Sequence, residues 1–462
     1  AITTGDNNVA VGYAALDAVT TAVDLVAIGY NALGANTSGV RNTAIGSSAL
    51  ATVTTNGTNT AVGFESLKLN TGYSNTAVGG YSLDTNSSGN YNTAVGENAL
   101  TANTTADYNS AFGVSGLVGN TTGALNTAIG ALTLVGNTTG TNNTAVGVQS
   151  LNANTTASYN TAVGQAALTL NTTGAGNTAV GNNSLDANTT ANYNTGIGYS
   201  ALSANTTGTN NVGIGYLSLS TSTTGSSNTA VGQASAFSST TGPNNVAIGL
   251  NALYYNQTGG QNVAIGASAL TGASGQSHTG NVAIGQQAMS ALSTGGSNVA
   301  VGAYAGDALT TGSGHTLIGY NAGSALTSGT ALTALGYQAG LAVTTGSNNV
   351  LIGHSSGDAI TTGASNVTLG NNTLGAVTTA SNNTALGANA GLAVTSGSQN
   401  VFVGTQAGVA NTTAANNTII GYVAGDAITT GGSNTAIGAE ALGANTTGAS
   451  NSAVGYNALT AN

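Results

Sequence analysis

The sequence predicts an all-β fold, a parallel β-solenoid of about 27 rungs, and three observations carry that prediction. A short frame of the type Asn42-Thr43-Ala44-Ile45-Gly46 recurs from one end of the 462 residues to the other. Its closing glycines, from Gly12 and Gly29 to Gly455, number 27, and 24 of the 26 intervals between them are 17 residues; the others are 16 (Gly63 to Gly79) and 19 (Gly266 to Gly285). Within each frame, β-branched residues alternate with a small one, and Gly recurs too often for a helical stripe to form. A constant period held over a whole chain means one small unit stacked on copies of itself.

One rung can be taken in order, counting from the frame glycine as zero. Thr or Val at −3 in most copies and an apolar residue at −1 enclose a small residue at −2, which is Ala in 20 of 27 copies. This is a strand of about four residues, closed by a glycine that permits a tight turn. A second short stretch follows, as in Ser48-Ala49-Leu50, then a Thr-Thr-Gly or Thr-Thr-Ala turn. Like positions then stack at the roughly 4.8 Å spacing of neighbouring strands, so 27 rungs make a rod on the order of 130 Å.

At −4, Asn occurs in 24 of 27 copies, including Asn42, Asn59, Asn75, Asn92, Asn109, Asn126, Asn143 and Asn160; Leu25, His315 and Leu332 are the exceptions. Stacked amides hydrogen-bond along such a rod, so this row is expected to be a structural ladder. A second row at +7 runs through nine consecutive rungs, from Asn70 to Asn205.

The alternation places Val11, Ile28, Ile45, Val62, Val78 and Val95 in the core, with Ile214 in the same row. The intervening Ala44, Ala61, Ala77, Ala94, Ala128 and Ala145 then point outward as a candidate interface stripe against identical chains. The chain is expected to be one continuous solenoid over 1–462 with three sub-regions. Over 1–301 Leu stands at +4. Over 302–429 that position is Gly, as in Gly306, Gly323 and Gly340, and bulk reappears at +7 in Leu309, Leu326 and Val343, a tendency that Leu374 with Val377, bulky at both, does not follow; 430–462 returns to the first type. Both positions are therefore expected to face inward, in a narrow core of constant density.

The repeated Asn-Thr-Ala-Val-Gly strand followed by Ala or Ser resembles the head repeat of trimeric autotransporter adhesins. It is also similar to the repeat regions of phage tail-fibre and surface proteins that carry a C-terminal intramolecular chaperone, where Asn-Thr-Thr-Gly turns are frequent. The resemblance implies a left-handed β-roll, trimerisation and an adhesive or fibrous role at a cell or virion surface.

Composition narrows the function. Two cations, Arg41 and Lys68, against twelve acidic residues leave no footprint for nucleic acid or an anionic membrane. There is no cysteine, hence no disulfide and no thiolate metal site, and no apolar run of the roughly 20 residues needed for a membrane span. No cofactor and no catalysis are expected. His278, His315 and His354 occupy different phases and are taken as surface or turn residues. Asp17, Asp84, Asp186, Asp307, Asp358 and Asp426 share position +5 but never in adjacent rungs, so they solubilise rather than build a calcium site. Tyr13, Tyr30, Tyr199, Tyr216, Tyr320, Tyr337, Tyr422 and Tyr456 at +1 cover a turn or, alternatively, stack on a glycan. The Asn-Thr-Thr or Asn-Thr-Ser triplets at Asn36, Asn103, Asn137, Asn171 and Asn445 match glycosylation acceptors, but turn chemistry explains them.

The chain starts and stops at nearly the same repeat phase, which fits either a piece of a longer fibre or a subunit that stacks end to end. The expected function is therefore a structural extracellular fibre or filament subunit that associates with copies of itself, as a homotrimer or end to end, with a host or surface glycan as a further partner. Ice binding by stacked threonines is the alternative from the binding-module class. A glycan-cleaving β-helix would need two carboxylates converging in a groove.

Overall fold

The computed structural model describes residues 4–460. It shows a parallel β-solenoid with a 17-residue rung and, among the described residues, 27 three-residue strands and no helix. The residues group into two compact units, Ala1–Asn228 and Thr229–Asn462. The first contains the strands from Val9–Val11 to Val212–Ile214, and the second those from Thr229–Val231 to Ser452–Val454. In each unit every strand pairs in parallel with its equivalent one rung away. Thr43 lies opposite Thr60, Ala44 opposite Ala61 and Ile45 opposite Val62. The two irregular intervals do not break this register, because Thr60 still meets Thr76 and Val263 meets Val282.

Frame glycine is obligatory for a geometric reason. Gly46 has φ +138°, and a Cβ added there would stand 2.2 Å from the carbonyl oxygen of Gly63. Only a residue without a side chain lets one rung approach the next so closely.

The inside and the outside of the strand are reversed relative to the expectation from alternation. Ala44, Ala61, Ala77, Ala94, Ala128 and Ala145 are fully buried, so they are core and not an outer seam. Val11, Ile28, Ile45 and Val78 are exposed, and Val62 and Val95 are half-exposed, so this row is outer surface and not core. Ile214 belongs to that outer row as well. The physical reason is the width of the interior. A three-residue strand sends only its middle side chain inward, and that side chain meets the Leu at +4. A Cβ at Gly213 would already lie 3.1 Å from Leu202 Cγ, so Ala or Gly is what fits.

The +4 residues and their +7 partners do face inward. Leu50 and Val53, and also Leu309, Leu326, Val343, Ile360, Val394 and Ile428, are fully buried. The backbone at +4 is left-handed throughout, with φ 50° at Leu50 and 57° at Gly306. Leucine there accepts a cost of about 1–2 kcal/mol. Burying its side chain contributes about 1.5–3 kcal/mol and outweighs that cost.

In four of the seven rungs where +4 is Gly, the strand centre grows. Leu317, Leu351, Phe402 and Ile419 occupy centres that are Ala elsewhere, and all are fully buried. Leu317 Cδ1 lies 2.5 Å from where a Cβ on Gly306 would be, and Phe402 Cδ2 lies 2.8 Å from that of Gly391. Bulk removed at +4 is thus shared between +7 and the strand centre.

This packing predicts opposite outcomes for neighbouring substitutions. Ala145→Asp buries an unpaired carboxylate and is expected to cost about 3 kcal/mol or more locally, whereas Val146→Asp, on the outer face, leaves its rung intact. Hydrogen exchange of the amides between 143 and 164 checks this, and loss of protection in Val146→Asp alone would return the alanines to the outside.

Candidate interaction face and buried ladders

Asparagine side chains carry the interior polar structure. In the −4 row, each Oδ1 accepts the backbone N–H of the next Asn: Asn59 N–H to Asn42 at 2.9 Å, Asn75 to Asn59 at 3.0 Å, Asn160 to Asn143 at 3.0 Å. Each Nδ2 donates to a turn carbonyl at the next corner, such as Asn109 to Gly123 O at 2.9 Å. All eight residues from Asn42 to Asn160 are fully buried, and they form the expected ladder. The +7 row is an amide-to-amide chain. Asn103 Nδ2 donates to Asn86 Oδ1 at 2.7 Å, Asn137 to Asn120 at 2.8 Å and Asn188 to Asn171 at 2.8 Å. Asn36, Asn103, Asn137 and Asn171 are completely buried in this row and Asn445 nearly so, which puts the acceptor asparagines of these glycosylation triplets inside the folded chain.

The paired threonines divide their work. The hydroxyl at +8 donates to the carbonyl of the next rung, as in Thr104 to Thr121 and Thr121 to Thr138, both at 3.0 Å. The threonine at +9 is exposed, as at Thr105, Thr122 and Thr139.

Six of the eight tyrosines at +1 stack in pairs along the rung direction, while Tyr422 and Tyr456 have no aromatic at +1 in the neighbouring rungs. Tyr13 and Tyr30 are 5.7 Å apart and 8° from parallel, and Tyr199 and Tyr216 are 5.5 Å apart. Tyr320 and Tyr337 stack at 5.5 Å, and His354, at the same position of the next rung, continues the column at 5.0 Å from Tyr337. Sequence reasoning missed a second aromatic column at the end of the Thr-Thr turn, where Tyr91 and Tyr108 stack at 4.9 Å and Tyr73 meets Tyr91 edge-on. Rings stacked in this way cover one another's faces and turn their edges to solvent. That arrangement supports a turn-covering role more than sugar stacking.

Two of the three histidines depart from the surface expectation. His278 and His315 are buried, at 2% and 1% exposure. His315 takes the place of a ladder asparagine: its N–H donates to Asn298 Oδ1 at 3.0 Å, and its Nδ1 accepts the N–H of Leu332 at 3.1 Å. The exception at −4 is therefore a substitute with the same acceptor in the same place. Burial pushes its pKa down.

At +5, burial pushes the carboxyls of Asp84, Asp186, Asp307 and Asp358 above the usual range. Asp426 and Glu440, on successive rungs, line one groove with Tyr422, Val423, Gly443, Ala444 and Thr460. No group of three or more His, Cys, Asp or Glu side chains gathers as a metal site among the described residues. No helix among them is long and apolar enough to cross a membrane.

What remains is the outer face of the strands. In the first unit the −1 column, from Val11 through Phe112 to Ile214, is apolar in every rung. Beside it at −3, ten consecutive strands from Thr43–Ile45 to Thr195–Ile197 open with Thr or Ser. No charged residue stands in either column. No protein-family model matches the chain, and no curated protein matches it.

Two predictions test the interior. Asn137→Ala removes one step of the amide chain, strands Asn120 Oδ1 and leaves Asn154 Nδ2 only its bond to Ala157 O, so it should cost about 1–3 kcal/mol, read as faster exchange at rungs 120–154. Asp186→Asn should stabilise its rung at neutral pH. The folded carboxyl has a raised pKa, so the penalty of its charge is present above that pKa and vanishes as pH falls below the unfolded value near 3.8. A gain at pH 7 that disappears at pH 3 in the same exchange measurement is the expected result.

Proposed function

We propose that the chain is a structural fibre element that associates laterally with copies of itself through the outer face of its strands. The observation that carries this reading is the unbroken apolar column at −1, which includes Val11, Ile28, Ile45, Val62, Val78 and Val95. In the first unit, 13 strands at about 4.8 Å, over a band about 10 Å wide, offer roughly 600 Å². This approaches the roughly 800 Å² that each partner contributes to a stable interface. The face is uncharged and repeats every rung, so the surface that matches it most simply is another copy. The fibrous role, the surface or virion location and the trimer belong to the same reading, supported by the resemblance of the repeat and by a composition nearly free of cations.

Ten consecutive Thr or Ser hydroxyls beside the apolar column favour a second reading of that face, ice binding. It differs from the Thr-Thr turn expected from sequence, where half of the hydroxyls are bound to backbone.

Sedimentation equilibrium on the chain, with the double substitution Ile129→Lys and Val146→Lys as the comparison, decides between the two. The expected result is a discrete oligomer for the natural sequence and a shift to monomer, at least tenfold weaker in association, for the variant. A monomeric natural chain at tens of micromolar would overturn self-association. If that monomer also showed thermal hysteresis, lost in the variant, the second reading would replace the first.

A further inference from the structure

The 19-residue interval between Gly266 and Gly285 contains a substitution of one buried group for another. In the ordinary rungs other than that of Asn56 the residue at +10 is Gly or Ala, whose carbonyl accepts from the ladder amides, as Gly259 O does from Asn245 Nδ2 at 3.0 Å and Asn256 Nδ2 at 2.8 Å. In this rung the two extra residues swing outward, leaving Ala273, Ser274, Gly275 and Gln276 exposed, so no side chain enters the core at +7. His278 takes the +10 corner instead. Its N–H donates to Asn256 Oδ1 at 3.1 Å and its carbonyl accepts from Asn262 Nδ2 at 2.8 Å.

The imidazole fills the space that the missing +7 side chain leaves. Its Nε2 lies 3.1 Å from where a Cβ on Gly272 would be, a point equally near the carbonyl oxygen of Leu292, the +7 residue of the following rung. His278 thus stands in the +7 column between Asn256 and Leu292. The ring occupies the interior of the bulged rung. Neither Nδ1 nor Nε2 makes a hydrogen bond to a neighbouring side chain, so a charge added to the ring is buried with little to solvate it. Asn256, Asn262, Gly272 and Leu292 pack around it, none of them titrates, and no charged group acts on the ring.

We propose that His278 makes the rung between Gly266 and Gly285 an acid-released joint: protonation expels the imidazole, and the bulge at 273–276 opens while the asparagine ladders on either side stay closed. Burial pushes the His278 pKa down to about 4 from an ordinary 6.5. A base whose folded pKa is depressed binds its proton more readily when the segment is open. Stability is therefore full above the unfolded value and is lost as pH falls from 6.5 towards 4. The aspartates at +5 act with the opposite sign, because their raised pKa values make acid favour the folded form.

The test is hydrogen exchange of the full chain at pH 7, 6 and 5, corrected for the intrinsic pH dependence of exchange. Opening of peptides covering 268–282 should rise by about tenfold or more between pH 7 and 5, while peptides covering 143–160, where no histidine lies, stay level. His278→Gln should hold the 268–282 response flat, and His315→Asn, which restores a ladder residue, should leave it unchanged. A flat natural chain, an equal rise in His278→Gln, or loss of the rise in His315→Asn would each overturn the proposal. If His278→Gln fails to close its rung at pH 7, the natural chain and His315→Asn still decide.

Discussion

The stacking of frame glycine on frame glycine is the constraint from which the remaining structure follows. At Gly46 or Gly147 the backbone adopts a φ near +120° to +140°, and the carbonyl of the next glycine occupies the place of the missing side chain. This contact fixes the rung spacing at one corner, and the parallel strands beside it inherit the register. Once the spacing is set, every other position must stack on its own kind. Asn meets Asn, Thr meets Thr and Tyr meets Tyr, so any side chain whose geometry suits self-stacking is reinforced along the chain. The two irregular intervals are absorbed outside the strands because a slip at the glycine corner would place a Cβ against a carbonyl.

The interior that results is narrow enough for a single methyl group to matter. At the strand centre there is room for Ala when Leu stands at +4, and for Leu, Ile or Phe when +4 is Gly. The sub-region 302–429 is the second solution to the same volume, with Phe402 lying over Gly391 and Gly408. Ser356, Thr368 and Thr373 show that a polar solution also fits: Ser356 Oγ lies 2.5 Å from the Thr368 hydroxyl and 2.7 Å from that of Thr373, so the buried oxygens satisfy one another.

Much of this was legible in the sequence. The period gave the solenoid and its strands, the Asn rows gave the ladders, and the exchange of Leu50-type for Leu309-type rungs gave two inward positions. The direction of the strand side chains was not legible from alternation alone. A period of two identifies two faces without saying which is inside, and the habit of placing Val and Ile inward fails where the core is too thin for them. The signal that could have decided it was present: Leu317, Leu351, Phe402 and Ile419 appear at strand centres only where Gly stands at +4, which links those two positions in space. His278 was missed for a similar reason. Counting from the preceding glycine places it in no row. Counting back from Gly285 places it seven residues before the glycine, at the corner that Gly259 and Gly295 occupy in their own rungs.

The polar interior also bears on how function is distributed. Ladder amides and +8 hydroxyls are consumed by rung-to-rung bonds, and stacked tyrosines cover one another, so most of the chain's hydrogen-bonding capacity is spent along its own axis. The outer face of the strands is different, because its backbone is paired while its apolar side chains remain partly or largely exposed. An apolar column left at least partly exposed along the strands gains only part of its burial energy in an isolated chain, since water still bears on its outer side. Alternation between a methyl-sized centre and larger flanks therefore packs the chain on one side of the sheet and leaves the larger apolar surface on the other. Within the solenoid, it is this surface that has the most to gain from being covered.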